Sequence, residues 1–198
     1  MPVSQERHPI LLQPDAALLV VVDMQEPFLR NVWQRERVVH NVGLLIRGCG
    51  VLGVPVVATL QYAHRMGGVV PEVSSALPAR CNPVDKVCFS CAGSSEFMGR
   101  LDRAGRRQVI LCGVETHICI CQTALDLIAA GYRVHVVADA VSSRTELNWK
   151  LGLRRMEQGG VLVASSEGVL YELMVKAGTP EFKQIVALVK EPLPAAQA

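Results

Sequence analysis

Aromatic residues make up only 5% of the chain, and its 20 basic and 18 acidic side chains, scattered without any block of like charge, leave a net charge of just +2. Nothing here offers a phosphate backbone a charged stripe with stacking rings, which excludes nucleic acid as an expected partner. Long hydrophobic runs are missing too: no stretch approaches the roughly 20 apolar residues that span a bilayer. The first sixteen residues carry charges and prolines, with no apolar core ahead of a small-residue cleavage site. These absences predict a soluble cytoplasmic protein with no membrane partner. The seven cysteines are odd in number, in a chain long enough to fold without staples, so a disulfide framework is not expected. Most should be reduced thiols packed as small apolar side chains.

What is present is a core. At 198 residues and 50% hydrophobic, the chain is the size of one well-packed domain, read as residues 1–198 with a disordered tail at about 192–198. Short β-branched runs alternate with segments of helical period: Leu18–Val22, Arg37–Leu52, Val54–Thr59, Val109–Leu111, His117–Ala130 and Val134–Val137. That alternation signals βαβ units and a parallel sheet. A further strand is predicted at Gly160–Ala164, and helices at Glu146–Gln158, Ser166–Lys176 and Glu181–Val189, the second capped by its opening serine. The strands show little polar alternation, which implies cover on both faces and a three-layer α/β/α arrangement. The segment from Gln61 to Pro83 lacks periodicity and is read as a loop that covers a site or joins a subunit interface.

Three residues stand at the edges of apolar runs. Cys119 follows Gly113-Val114-Glu115-Thr116-His117-Ile118 where a strand gives way to a helix, Asp23 follows Leu18–Val22, and Lys86 precedes Val87-Cys88-Phe89. A thiol in the first turn of a helix meets unpaired N–H groups and the positive end of the dipole, so Cys119 is expected to have a lowered pKa, with Lys86 supplying an ammonium. Ligands of parallel sheets bind beyond the carboxyl ends of the strands, where an acid and a thiol can converge. Each residue also has a plainer role: Asp23 as a cap, Lys86 as a solvated charge, Cys119 as packing.

Taken together, the nucleophile run, then Thr123-Ala124-Leu125-Asp126, Val134-His135-Val136-Val137-Ala138-Asp139-Ala140 and Ser142-Ser143-Arg144, are similar to the isochorismatase-like family of cysteine hydrolases, which includes the nicotinamidases. Lys86-Val87-Cys88-Phe89-Ser90 and Ser165-Ser166-Glu167-Gly168 resemble its branch of isochorismatase domain-containing proteins. The resemblance covers about Ala17 to Pro192 and implies a six-stranded, mainly parallel sheet in the order 3-2-1-4-5-6. It further implies a catalytic set of Asp23, Lys86 and Cys119, a non-proline cis peptide at Val114-Glu115, oxyanion donors at the amides of Glu115 and Cys119, and a homo-oligomer. The expected activity is hydrolysis of a small amide or related C–N bond through a thioester. Vinyl-ether hydrolysis by an acid-only route, or a binding protein that has kept the fold, are the alternatives.

Nicotinamidases in this family bind metal through an Asp and two His, whereas this chain shows Gln61-Tyr62-Ala63-His64 in the corresponding region. No metal and no cofactor are expected. Cys88-Phe89-Ser90-Cys91 has C-x-x-C spacing, but Cys119-Ile120-Cys121 is a poor second half for a zinc site. Substrate-pocket walls are assigned to Gln25, Phe28, Trp33, Tyr62, Phe89 and His117, which lie close in sequence to the three candidates.

Overall fold

All six side chains of β1 (Ala17–Val22) are buried, the pattern of a strand covered on both faces. In the computed structural model, which describes residues 7–193, the chain continues through α1 (Glu26–Leu29), α2 (Arg35–Val51), β2 (Val56–Gln61), α3 (Ala63–Met66), α4 (Pro71–Ser74) and β3 (Val84–Lys86). The second half comprises α5 (Ser95–Ala104), β4 (Gln108–Val114), α6 (Cys121–Ala129), β5 (Arg133–Ser142), α7 (Glu146–Gln158), β6 (Leu162–Ala164), α8 (Ser166–Met174) and α9 (Pro180–Val189). Every strand pairing is parallel, in the order β3-β2-β1-β4-β5-β6. Among the described residues, no helix is long and apolar enough to cross a membrane.

Alternate residues of the central strands feed two separate cores. Leu19, Val21, Ile110 and Cys112 pack with α2, α8 and α9, while Leu18, Val20, Val109 and Leu111 pack with α5, α6 and α7. This is the three-layer arrangement that the apolar strands implied. Four helices begin on a side-chain oxygen that accepts a backbone N–H two or three residues into the helix: Ser94 from Phe97, Thr145 from Asn148, Ser165 from Gly168 and Thr179 from Phe182.

Several sequence expectations move. Lys86 ends β3 rather than preceding an apolar strand, and Val87 and Phe89 beyond it are 75% and 57% exposed. The chain leaves the sheet edge at Lys86, so those side chains find no second layer. The α8 cap is Ser165, not Ser166, whose hydroxyl instead donates to Asp139 Oδ1 at 2.9 Å. Helix α5 went unread because its buried side chains, Phe97 and Leu101, stand among charges. The stretch read as loop holds the one-turn helices α3 and α4. The predicted tail lies, from residue 194 onward, outside the described residues.

Candidate active site

The carboxyl ends of β1 and β2 both run into left-handed backbone, at Asp23 (φ 51°) and Tyr62 (φ 48°). Aspartate enters this region more readily than most residues. There the Asp23 carboxylate lies buried between two donors: Thr59 Oγ1 donates to Oδ1 at 2.7 Å and Lys86 Nζ to Oδ2 at 2.8 Å. The Lys86 and Asp23 side chains are 0% and 2% exposed. Lys86 Nζ has further acceptors in Gln61 Oε1 (2.7 Å), Cys88 O (3.3 Å) and Phe89 O (3.4 Å). Three ammonium protons face four acceptors, so the charge is fully engaged.

Gln61 is held in turn by Gln25, which is itself wholly buried. The Gln25 Oε1 accepts from Gln61 N at 2.8 Å, and Nε2 donates to Gln61 O (3.1 Å) and Gly67 O (2.8 Å). One amide side chain thereby ties the end of β2 and the α3–α4 segment to the chain beside Asp23.

Cys119 arrives from β4. Gly113, at φ 112°, lies so close to β1 that an added Cβ would stand 2.1 Å from Val22 O, a position only glycine can fill. The peptide Val114-Glu115 is cis. The next turn, Thr116–Ile120, is wide, with Ile120 N–H donating to Glu115 O at 3.3 Å, five residues back. Single turns of this π type recur at functional sites. Helix α7 seats this turn: a Cβ on Gly152 would meet His117 Cα and N and Thr116 C at 3.0 Å.

A cavity of about 60 Å³ opens here, lined by Asp23, Phe28, Gln61, Phe89, Val114, Glu115, Ile118 and Cys119. Asp23, Lys86 and Cys119 are thus brought together, and Phe28 and Phe89 form walls. The other expected pocket residues lie elsewhere. Gln25 supports Gln61 from behind; Trp33 packs on Trp149, their ring centroids 5.1 Å apart; Tyr62 is 40% exposed; and His117 Nδ1 pairs with Ser143 Oγ at 3.0 Å. Gln61 and Thr59 were not foreseen, since each reaches the site through tertiary contacts, and Ile118, beside Cys119 in the chain, also joins the lining.

The electrostatics correct one expectation. The Cys119 thiol is not lowered but pushed up to about 12, by burial first and then by the negative charge of Asp23, with Lys86 opposing both. The ammonium is already matched by a carboxylate, so desolvation outweighs the help of the helix start that Cys119 occupies. Burial also works against the Lys86 ammonium, but the surrounding Cys91, Asp23 and Cys119 raise its pKa overall. Among the described residues, no three His, Cys, Asp or Glu side chains are grouped to hold a metal ion. A far larger concavity, about 520 Å³, runs along α2 beside α4, and Arg35, Glu36, His40, Arg47 and Glu72 line it.

The isochorismatase domain model matches residues 17–168. The secreted isochorismatase effector Isc1 of Phytophthora sojae is 40% identical over 185 residues, covering 92% of this chain and 88% of the effector. Isochorismatase domain-containing protein 2 of Bos taurus is also 40% identical, over 91% of this chain and 86% of its own length. A solved Caenorhabditis elegans structure named MAR1 ribonuclease superposes with a TM-score of 0.87 at 32% identity, covering 93% of this chain and 94% of that one.

Proposed function

Since the chain belongs to the isochorismatase domain family, we propose that it is a cysteine-dependent hydrolase of a small amide or related C–N bond. The observation that carries this reading is the desolvated Asp23–Lys86 pair opening, through Asp23, onto the same cavity as the Cys119 thiol. With the thiol held neutral in the resting protein, the proton leaves during attack and not before. Cys119 Sγ bonds to the carbonyl carbon as Asp23 takes the thiol proton. The amides of Glu115 and Cys119 receive the oxyanion. Asp23 returns the proton to the departing amine as the C–N bond breaks, leaving a thioester. Asp23 then draws a proton from water as it attacks the thioester, and passes that proton to the Cys119 sulfur as the C–S bond breaks and the acid is freed. Lys86 holds Asp23 in place and balances its charge; no metal or cofactor enters.

The acid-only vinyl-ether route is the alternative, and hydrolysis that survives Cys119→Ala would favour it. The C. elegans protein carries the name ribonuclease, but a small, largely apolar lining supports an amide over a polyanionic chain. Seven unpaired cysteines suit a reducing cytoplasm. Leu147 and Leu151, exposed one turn apart on α7, offer a surface that a homo-oligomer would cover.

The test is the rate of Cys119 alkylation against pH, read by peptide mass spectrometry in wild type, Asp23→Asn and Lys86→Ala, each first shown to be folded. A raised thiol pKa means that the thiolate fraction grows only toward strongly alkaline pH, so the wild-type rate should climb past the ~8.5 of a free thiol without levelling off. At fixed pH, Asp23→Asn should react faster and Lys86→Ala slower. If neither substitution changes the rate, the thiol is uncoupled from the pair and the covalent mechanism fails.

A further inference from the structure

The cavity beside Cys119 is small, apolar on its free walls, and offers no spare positive charge. Its volume is about 60 Å³. Sites for drug-sized ligands run to roughly 300–1,000 Å³. Phe28, Phe89, Val114 and Ile118 supply hydrocarbon. The polar groups are already occupied: Gln61 Oε1 accepts from Lys86 and Gln61 Nε2 donates to Val87 O at 2.8 Å. Every Lys86 proton has a protein acceptor. Arg144 is paired with Glu115 Oε2 at 3.2 Å, and 59% of its side chain is exposed.

A substrate carboxylate would therefore lose its water and find no unpaired cation, with the carboxylates of Asp23 and Glu115 on the lining, and burying a charge without a partner is strongly unfavourable. A cavity this small favours a short chain over an aromatic ring. We propose that the site takes short, uncharged, aliphatic carboxamides, the acyl chain lying against Phe28, Phe89, Val114 and Ile118, and that it rejects aromatic and carboxylate-bearing amides. This rests on the nucleophile reading above and narrows it. The balance is simple: amide and water give a short-chain carboxylic acid and ammonia or a small amine, with no redox partner.

Aldehydes separate the two levels of the proposal because they bind without turnover. The Cys119 Sγ adds to the carbonyl carbon, the C=O π bond opens, and the sulfur's proton passes to oxygen. Protection of Cys119 from iodoacetamide is measured with propanal, butanal, benzaldehyde and succinic semialdehyde, each normalised to its own addition to β-mercaptoethanol. Propanal and butanal should protect at concentrations at least ten-fold lower than the other two, and Phe89→Ala should narrow the gap for benzaldehyde. If benzaldehyde or succinic semialdehyde protects equally well or better, the substrate class is overturned while the nucleophile stands. If no aldehyde protects a Cys119 that iodoacetamide reaches, the thiol does not add to carbonyls, and the proposed function fails together with the inference.

Discussion

The groove along α2 and the cavity beside Cys119 differ in almost every respect. The groove beside α2 is about 520 Å³ and charged, yet its ions sit at the surface: Arg35 meets Glu72 at 3.0 Å and Glu26 at 3.4 Å, and Arg47 meets Glu191 at 2.7 Å with both side chains 39% exposed. The cavity beside Cys119 is about 60 Å³ and borders on one ion pair, sealed from water. Pairs of the first kind are solvated and contribute ~0–1 kcal/mol. In the second kind, water no longer screens either charge, and a missing partner is felt in full. Desolvation, not volume, is what sets the candidate site apart from a charged surface.

The sharpest way to break this comparison is to remove one ion from each place. Lys86→Met leaves the Asp23 carboxylate buried and alone, and should cost about 3–5 kcal/mol of stability. Turnover of a short aliphatic amide should fall at least ~10³-fold. The double variant Lys86→Met/Asp23→Leu should regain much of the stability in a denaturant melt and none of the activity. A Lys86→Met protein as stable as wild type would show that the pair is not desolvated in solution.

An intermediate effect is expected at a residue that touches neither ion. Gly152→Ala pushes a methyl group onto the backbone of Thr116 and His117, which carries Cys119. Overpacking should cost ~1–3 kcal/mol. Because displacement of reacting groups by about 1 Å can slow chemistry by around 10²-fold, kcat should drop ten-fold or more, while the melting temperature falls by about 2–4 °C for each kcal/mol lost. Loss of stability with kcat intact would mean the turn absorbs the methyl.

The smallest effect should come from the groove. Arg47→Ala is expected to cost less than about 1 kcal/mol, to lose even that difference at high salt, and to leave amide turnover unchanged. A change in turnover would show that the groove communicates with the site.

The strands and most long helices were legible because their periodicity is local; the predicted helix Glu146–Gln158 coincides with α7. β3 was not, since three residues with exposed Asp85 at their centre carry no pattern. In the site, Asp23, Lys86 and Cys119 could be singled out from motif and position. Gln61 and Thr59 could not, because their partners lie 25 and 36 residues away in sequence. Nearness in sequence also misled: Trp33 and His117 flank the candidates along the chain but turn toward Trp149 and Ser143. The Cys119 thiol was misjudged for a related reason. Burial, the largest influence on it, is a property of the whole fold.

Lys86 hangs from an edge strand of only three residues, matched to β2 and to nothing beyond. Protein segments open locally with unequal free energies. On the proposed mechanism, any opening of β3 that leaves both cores closed would carry the cation out of reach of Asp23, so hydrolysis should fade at a temperature where the chain is still folded, and return on cooling.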